Sequence, residues 1–180
     1  KKIIFRDSRN ELFYTVDGFF GMICEYDKET GNEIKRKYIC DGYTSVSIVG
    51  VKFERFNEYG FPTKVSYFDN EDKPCKHIDG NYGVQIKYDN YGNESCRWFL
   101  DQQGQKTPIY NGVYGLVSLY DNLDRVIQQY FVDKNGERVF DDYGFHGIKI
   151  NYNEASNELL ASETCYIDDK DDLCNNPQRF

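Results

Sequence analysis

Gly83-Val84-Gln85-Ile86-Lys87-Tyr88-Asp89-Asn90-Tyr91-Gly92-Asn93-Glu94-Ser95-Cys96-Arg97-Trp98-Phe99-Leu100-Asp101 is the stretch from which the fold can be read. Val84, Ile86 and Tyr88 alternate with Gln85, Lys87 and Asp89, and a period of two assigns the first set to a buried strand face and the second to water. Asp89 then opens a turn whose fourth residue is Gly92. Asp at the first turn position, closed by a left-handed glycine, makes a short hairpin loop on a type I turn. The flanking strands are therefore expected to pair antiparallel. Gln102, Gln103 and Gly104 form another polar, glycine-bearing turn, with a short third segment expected near Thr107 to Tyr110.

Working outward, the same beat recurs about every 32 residues. Gly21, Gly50, Gly83, Gly115 and Gly147 each open an apolar strand, which closes at Tyr26-Asp27, Phe56-Asn57, Tyr88-Asp89, Tyr120-Asp121 and Tyr152-Asn153. The fourth copy carries a turn at Asp121 to Asp124, the strand Val126 to Val132 and a turn at Asp133 to Gly136, with Asp124 in the place of the turn glycine. In the second copy Gly50 stands six residues before Phe56 rather than five, which predicts a β-bulge at Glu54 or Arg55. Ile3 to Asp7 and Asn10 to Gly18 read as a shortened copy, so the chain is expected to start inside a repeat. Tyr166, Ile167 and Asp168 close the last second strand, and Asp169 to Asp172 begin an acidic tail that caps the array.

The expected architecture is thus all-β: one domain over 1–180, with a partial repeat at 1–20, repeats at 21–49, 50–82, 83–114, 115–146 and 147–173, and an acidic C-terminal tail. Antiparallel hairpin units would form a twisted or curled β-strip. A parallel β-helix and a five-bladed propeller are the alternatives. Composition agrees, because 16 Tyr and 13 Phe against only two Ala, Ala155 and Ala161, suit strands over helices.

A formal net charge of −8 repels a phosphate backbone, so no nucleic-acid partner is expected. No apolar run approaches the ~18 residues that span a bilayer, so membrane insertion is not expected either. Cys24, Cys40, Cys75, Cys96, Cys165 and Cys174 lack zinc-site spacing and are read as free, half-buried thiols, with bridges the alternative should the protein be exported.

The Tyr-Asp-x-x-Gly-Asn core, whole at Tyr88 to Asn93 and stretched by one residue at Tyr26 to Asn32, resembles the bacterial YD-repeat (Rhs-type) families. The likeness covers nearly the whole chain through a short motif. It implies a long antiparallel β-strip in an exported or surface-associated bacterial protein or a toxin shell. Two features depart from that pattern: the longer period, and Asn32 and Asn93 where Arg commonly follows the turn glycine. A looser similarity runs to the WG and MORN-type bacterial repeats.

Candidate chemistry is sparse. Cys75, His77 and Asp79 alternate, which on a strand would bring a thiol, an imidazole and a carboxylate to one face, but they lie in a turn-rich stretch without a second ligand cluster. His146 precedes Gly147 and reads as a packing or turn residue. Asp27, Asp89, Asp101, Asp121 and Asp133 sit at repeated turn positions, where a carboxylate hydrogen-bonds the turn backbone, so they are read as fold determinants. Asp133 to Glu137 lacks the later ligands of a calcium loop. No catalytic residue, metal or cofactor is expected. Tyr59 and Tyr91, inside turns, and Trp98, the sole tryptophan, are the candidate ligand-binding rings, suited to stacking on a sugar or anchoring a protein partner. The functional expectation is a non-enzymatic β-repeat module of a bacterial exported or surface protein that contacts protein or glycan. The alternatives are a toxin-shell or hydrolase fragment using turn carboxylates, and a structural spacer; self-association through sheet edges is a further expected mode.

Overall fold

The computed structural model describes residues 1–40, 48–152, 161–168 and 170–173. Among these residues there is no helix, and eleven strands follow one another: β1 (Lys2–Ile4), β2 (Gly21–Tyr26), β3 (Glu33–Ile39), β4 (Gly50–Phe56), β5 (Pro62–Phe68), β6 (Gly83–Tyr88), β7 (Glu94–Leu100), β8 (Gly115–Tyr120), β9 (Val126–Val132), β10 (Gly147–Tyr152) and β11 (Ala161–Ile167). They form one open sheet in the order β1 to β11, a meander of antiparallel hairpins. The parallel β-helix and the closed propeller are both excluded by this topology. Asn153, Ala155, Asp169 and Cys174 lie outside the described residues.

All five opening glycines begin strands, and close approach of backbone explains why they are glycine. A Cβ at Gly21 would lie 2.5 Å from the Ile3 carbonyl oxygen, and closer still to the carbonyl oxygens of Arg36 at Gly50, Val65 at Gly83, Arg97 at Gly115 and Gln129 at Gly147. Across the other hairpin, four of these glycines face a large apolar residue in register: Ile39, Phe68, Val132 and Ile167. Phe68 lays its ring directly on Gly50. The side chain that a regular residue would need is thus supplied by its cross-strand partner.

The turns use glycine for a different reason. Asp89 N–H bonds the Asn93 carbonyl, Gly92 N–H bonds Asp89, and Gly92 has φ of 91°. That is a type I turn followed by a left-handed residue. The same left-handed position is held by Asn10, Gly60, Asp72, Gly104, Asp124, Gly136 and Asp171, so Asn and Asp stand in where glycine is absent. Each first-position carboxylate caps its own turn: Asp89 Oδ1 accepts Tyr91 and Asn93 N–H, Asp121 accepts Leu123 and Arg125, and Asp133 accepts Asn135 and Glu137.

The bulge expected in the second copy is elsewhere. Register shifts occur where β2, β8 and β10 meet their longer partner strands, at Glu25/Tyr26, Leu119/Tyr120 and Asn151/Tyr152. In the second copy Arg55, at φ 53°, adds a residue to β4 so that it matches the seven residues of β5, and Glu54↔Lys64 and Phe56↔Pro62 stay in step. The expected third strand near Thr107 is a single bridge, Leu100↔Lys106, followed by an additional tight turn closed at Gly112. Such a second turn is seen also at Gly18, Gly80 and Gly144.

The described contacts divide into two compact units, Lys1–Gln85 with Asp101–Gly104, and Ile86–Leu100 with Gln105–Phe180. In the first, Phe19, Cys24, Val49, Val65, Phe68 and Val84 are buried, and Phe19 stacks on Tyr38 with centroids 4.9 Å apart. In the second, Cys96, Trp98 and Val132 pack with Val117 and Tyr130 on one sheet face. Phe145 stacks on Tyr166 at 4.0 Å. Ile86 is buried as the alternation predicts, and Gln85 and Lys87 are exposed. Strand β7 departs from simple alternation, because Trp98, Phe99 and Leu100 are all buried.

Candidate functional site

The hairpin turn between the two strands of a repeat places its third residue at the tip, because residues one and four are tied to each other and to the strands. In the second unit that residue is Tyr91, 88% exposed; in the first it is Tyr59, 70% exposed. Both backbones are fixed, Tyr59 N–H by Asn57 Oδ1 and Tyr91 N–H by Asp89 Oδ1. A ring held on a stiff turn and open on both faces loses little freedom on stacking against a ligand. Trp98 does not join them. It is 6% exposed, faces Gly115 in register, and has Lys106 Nζ 3.7 Å and Lys87 Nζ 5.1 Å from its ring, so the expectation of an exposed stacking ring fails for this residue. The bare Gly115 opposite lets the indole pack close against the sheet.

Tyr91 borders a cavity of about 600 Å³ in the second unit, lined also by Asn93, Ser95, Ser118, Tyr120 and Asp124. Two hydrogen bonds link consecutive copies around it: Asn93 Nδ2 donates to Asp124 Oδ1 at 2.8 Å, and the Tyr120 hydroxyl donates to the Glu94 carbonyl at 2.9 Å. Tyr152 repeats the second bond to the Val126 carbonyl at 2.9 Å, so these two strand-end tyrosines tie their copies to the one before. The cavity carboxylates are acceptors. Desolvation pushes the carboxyls of Asp89 and Asp121 up, but the turn N–H groups, joined at Asp121 by Arg125, outweigh it and hold both below the ordinary value. A hydrolase of the two-carboxylate kind needs one carboxyl raised and protonated. The resolved shifts here run the other way.

The remaining candidates separate. Cys75 is buried, with its thiol directed to the Lys76 carbonyl at 3.8 Å and its acidity weakened by burial. His77 opens a turn as Asp does elsewhere, its Nδ1 accepting Asp79 N–H at 3.2 Å and lying 3.0 Å from Asp79 Oδ2. Among the described residues no three His, Cys, Asp or Glu side chains are grouped to hold a metal ion. His146 is buried with its ring edge-on to Phe140 at 3.9 Å, a packing residue. Asp101 Oδ1 accepts Gln103 N–H, and Asp168 Oδ1 accepts Lys170 and Asp172 N–H, so both are turn caps. Cys24, Cys40, Cys75 and Cys96 are free thiols, and burial pushes Cys96 up to about 11.

Two grooves were not foreseen from the sequence. In the first unit Phe19, Tyr38, Val51, Tyr67, His77 and Ile78 line about 500 Å³; in the second Phe131, Asp141, Tyr143, Phe145, Ile148 and Tyr166 line about 490 Å³. Both lie beside the second turn of a connection, which the sequence marks only by its Gly. Among the described residues no helix is long and apolar enough to cross a membrane. No protein-family model matches this chain, and a search of curated proteins finds no match to it.

Proposed function

We propose that the chain is a non-enzymatic β-repeat binding module of a bacterial exported or surface protein, which contacts protein or glycan through aromatic residues on its hairpin turns. The observation that carries this reading is Tyr91, an almost wholly exposed ring on a backbone-capped turn beside a cavity lined with amide, hydroxyl and carboxylate groups. Rigid aromatic surface next to directional hydrogen-bond partners is the chemistry of recognition. The downward shifts of Asp89 and Asp121 support binding over hydrolysis, since neither is poised to donate a proton near neutral pH. The placement in an exported bacterial protein rests on the YD-repeat resemblance alone.

The test is a ligand screen, by glycan array and by capture of surface proteins, repeated with Tyr91→Ala. Loss of a ligand with an unchanged Tm supports the reading. Turnover of a substrate by the full chain, abolished by Asp121→Asn without loss of stability, would replace it with the hydrolase alternative. The spacer alternative gains support if no ligand is retained by any variant, because the inter-copy bonds from Tyr120 and Asn93 already suit a stiff connector.

A further inference from the structure

The chain carries a net charge of −8, yet one face of its first unit collects lysines. Strand pairing sets Lys35 of β3 directly opposite Lys52 of β4, and Lys37, two residues further along β3, opposite Gly50. Lys35 and Lys37 share a face because successive side chains alternate. Lys35 Nζ and Lys52 Nζ both lie over the Phe68 ring, 4.9 Å and 5.6 Å from its centroid, and that ring rests on Gly50. Like charges placed directly opposite on neighbouring strands repel, so the pairing is unfavourable unless an anion joins it.

Among the described residues the anions present do not complete it. Asp72 Oδ1 lies 3.0 Å from Lys35 Nζ, and the hydrogen bond from Lys35, then the fields of Lys35, Lys37 and Lys52, hold its carboxyl low. Glu25 lies across from Lys35 on β2, and Glu54 is paired with Lys64 at 3.2 Å. Lys37 Nζ donates to the Asn70 carbonyl at 3.0 Å, a neutral acceptor. Among the described residues, one carboxylate in contact, Asp72, pairs with Lys35, and the fields of Lys37 and Lys52 act on that same carboxyl.

We propose that Lys35, Lys37 and Lys52 form a binding site for a compact oxyanion ester, a phosphate or sulfate group, held by the ammonium groups on the face of β3 and β4 that carries Gly50. Lysine suits this role as a strongly hydrated point charge that attracts an oxyanion without the fixed fork of arginine. The ligand is compact because an extended polyanion would pass over Asp69 and Glu71 in the adjoining turn and be repelled there. This site is separate from the Tyr91 cavity and stands or falls independently of it.

The full chain is titrated with inorganic phosphate, inorganic sulfate and chloride at matched ionic strength, read by amide chemical shifts. Saturable shifts in β3, β4 and the 69–73 turn with phosphate or sulfate, and not with chloride, are expected. Lys52→Gln weakens the affinity by about fivefold or more, Lys52→Arg retains it, and Lys149→Gln leaves it unchanged. Phosphoserine and glucosamine 6-sulfate, run in parallel, distinguish the source of the group, and tighter binding of either supports the site. Lys37→Gln provides a second reading if Lys52→Gln lowers the Tm. Shifts equal for chloride, shifts elsewhere in the sheet, or an affinity untouched in both Gln variants would overturn the proposal.

Discussion

The copy opened by Gly115 and the copy opened by Gly21 solve one problem in two ways. From the end of the second strand to the next opening glycine, the Gly115 copy has fourteen intervening residues, 133–146, whereas the Gly21 copy has ten, 40–49. In the second unit the longer connection supplies its own cations. Arg138, bridged to Val132, reaches Asp171 at 2.8 Å, and Lys106, bridged to Leu100, donates to the Lys134 carbonyl at 2.9 Å. In the first unit the donors come from the strand instead: Lys35 reaches Asp72 and Lys37 donates to the Asn70 carbonyl. Asn70 and Asp72 occupy the same turn positions as Lys134 and Asp171. In these copies a cation binds the succeeding turn, carried by the connection in the second unit and by β3 in the first.

The largest effect that would sharpen this contrast is in the core beneath the lysines. Phe68→Ala removes a 1% exposed ring that carries both Lys35 and Lys52, and is expected to cost about 3–5 kcal/mol in chemical denaturation. Val132→Ala, at the equivalent position of the regular copy, removes two methyl groups and is expected to cost about 2 kcal/mol. Equal losses would mean that the ring beneath the lysines matters no more than the strand-end residue of the regular copy.

Acid titration probes the turns. Asp72 is held below the ordinary carboxylate value first by the Lys35 hydrogen bond, while at Asp133 desolvation acts upward and the N–H groups of Glu137, Asn135 and Gly136 overcome it. In both cases the folded state binds its proton less readily than the unfolded chain. The stabilisation is therefore complete above the unfolded pKa, about 4, and is lost as pH falls through the lower folded value. Added salt of about 0.5 M is expected to raise the NMR-measured pKa of Asp72 and leave Asp133 nearly unmoved, because screening weakens an ion pair far more than a backbone cap.

Smaller changes follow at single turns. Asp133→Ala loses the acceptor for Asn135 and Glu137 N–H and is expected to cost about 1 kcal/mol by thermal melting. Lys37→Met loses one exposed hydrogen bond and is expected to cost less than about 0.5 kcal/mol. A loss at Lys37 larger than at Asp133 would show that the strand-borne cation matters more than the turn itself.

Much of this architecture is legible in the residues. The beat from Gly83 to Tyr88 gives five strand starts and the hairpin turns, because period-two alternation and a left-handed turn position are local facts. The two irregular spacings are also countable, but their meaning is not. Arg55 reads as a bulge from sequence, yet it removes a register shift that the Gly21, Gly115 and Gly147 copies carry, where the partner strand is one residue longer. Trp98 reads as an exposed binding ring because a single strand does not reveal that Gly115 lies across from it. The lysine cluster is hidden for the same reason: Lys35 and Lys52 are seventeen positions apart in sequence and adjacent only through strand pairing. Tyr59 and Tyr91 were recoverable, as their place in the turn is set by four neighbouring residues.

The central structural claim is that the opening glycines are required by backbone approach, and the turn glycines by conformation, with side chains alone approaching Gly60, Gly104, Gly112 and Gly136. Two glycines three residues apart test it most directly. Gly147 has no room for a Cβ because of the Gln129 carbonyl, whereas Gly144, at φ 84°, has open space around it. Urea denaturation of Gly147→Ala and Gly144→Ala is expected to show a loss of about 3 kcal/mol or more for the first and about 1–2 kcal/mol for the second. A Gly144→Ala variant that is the less stable of the two would contradict the account.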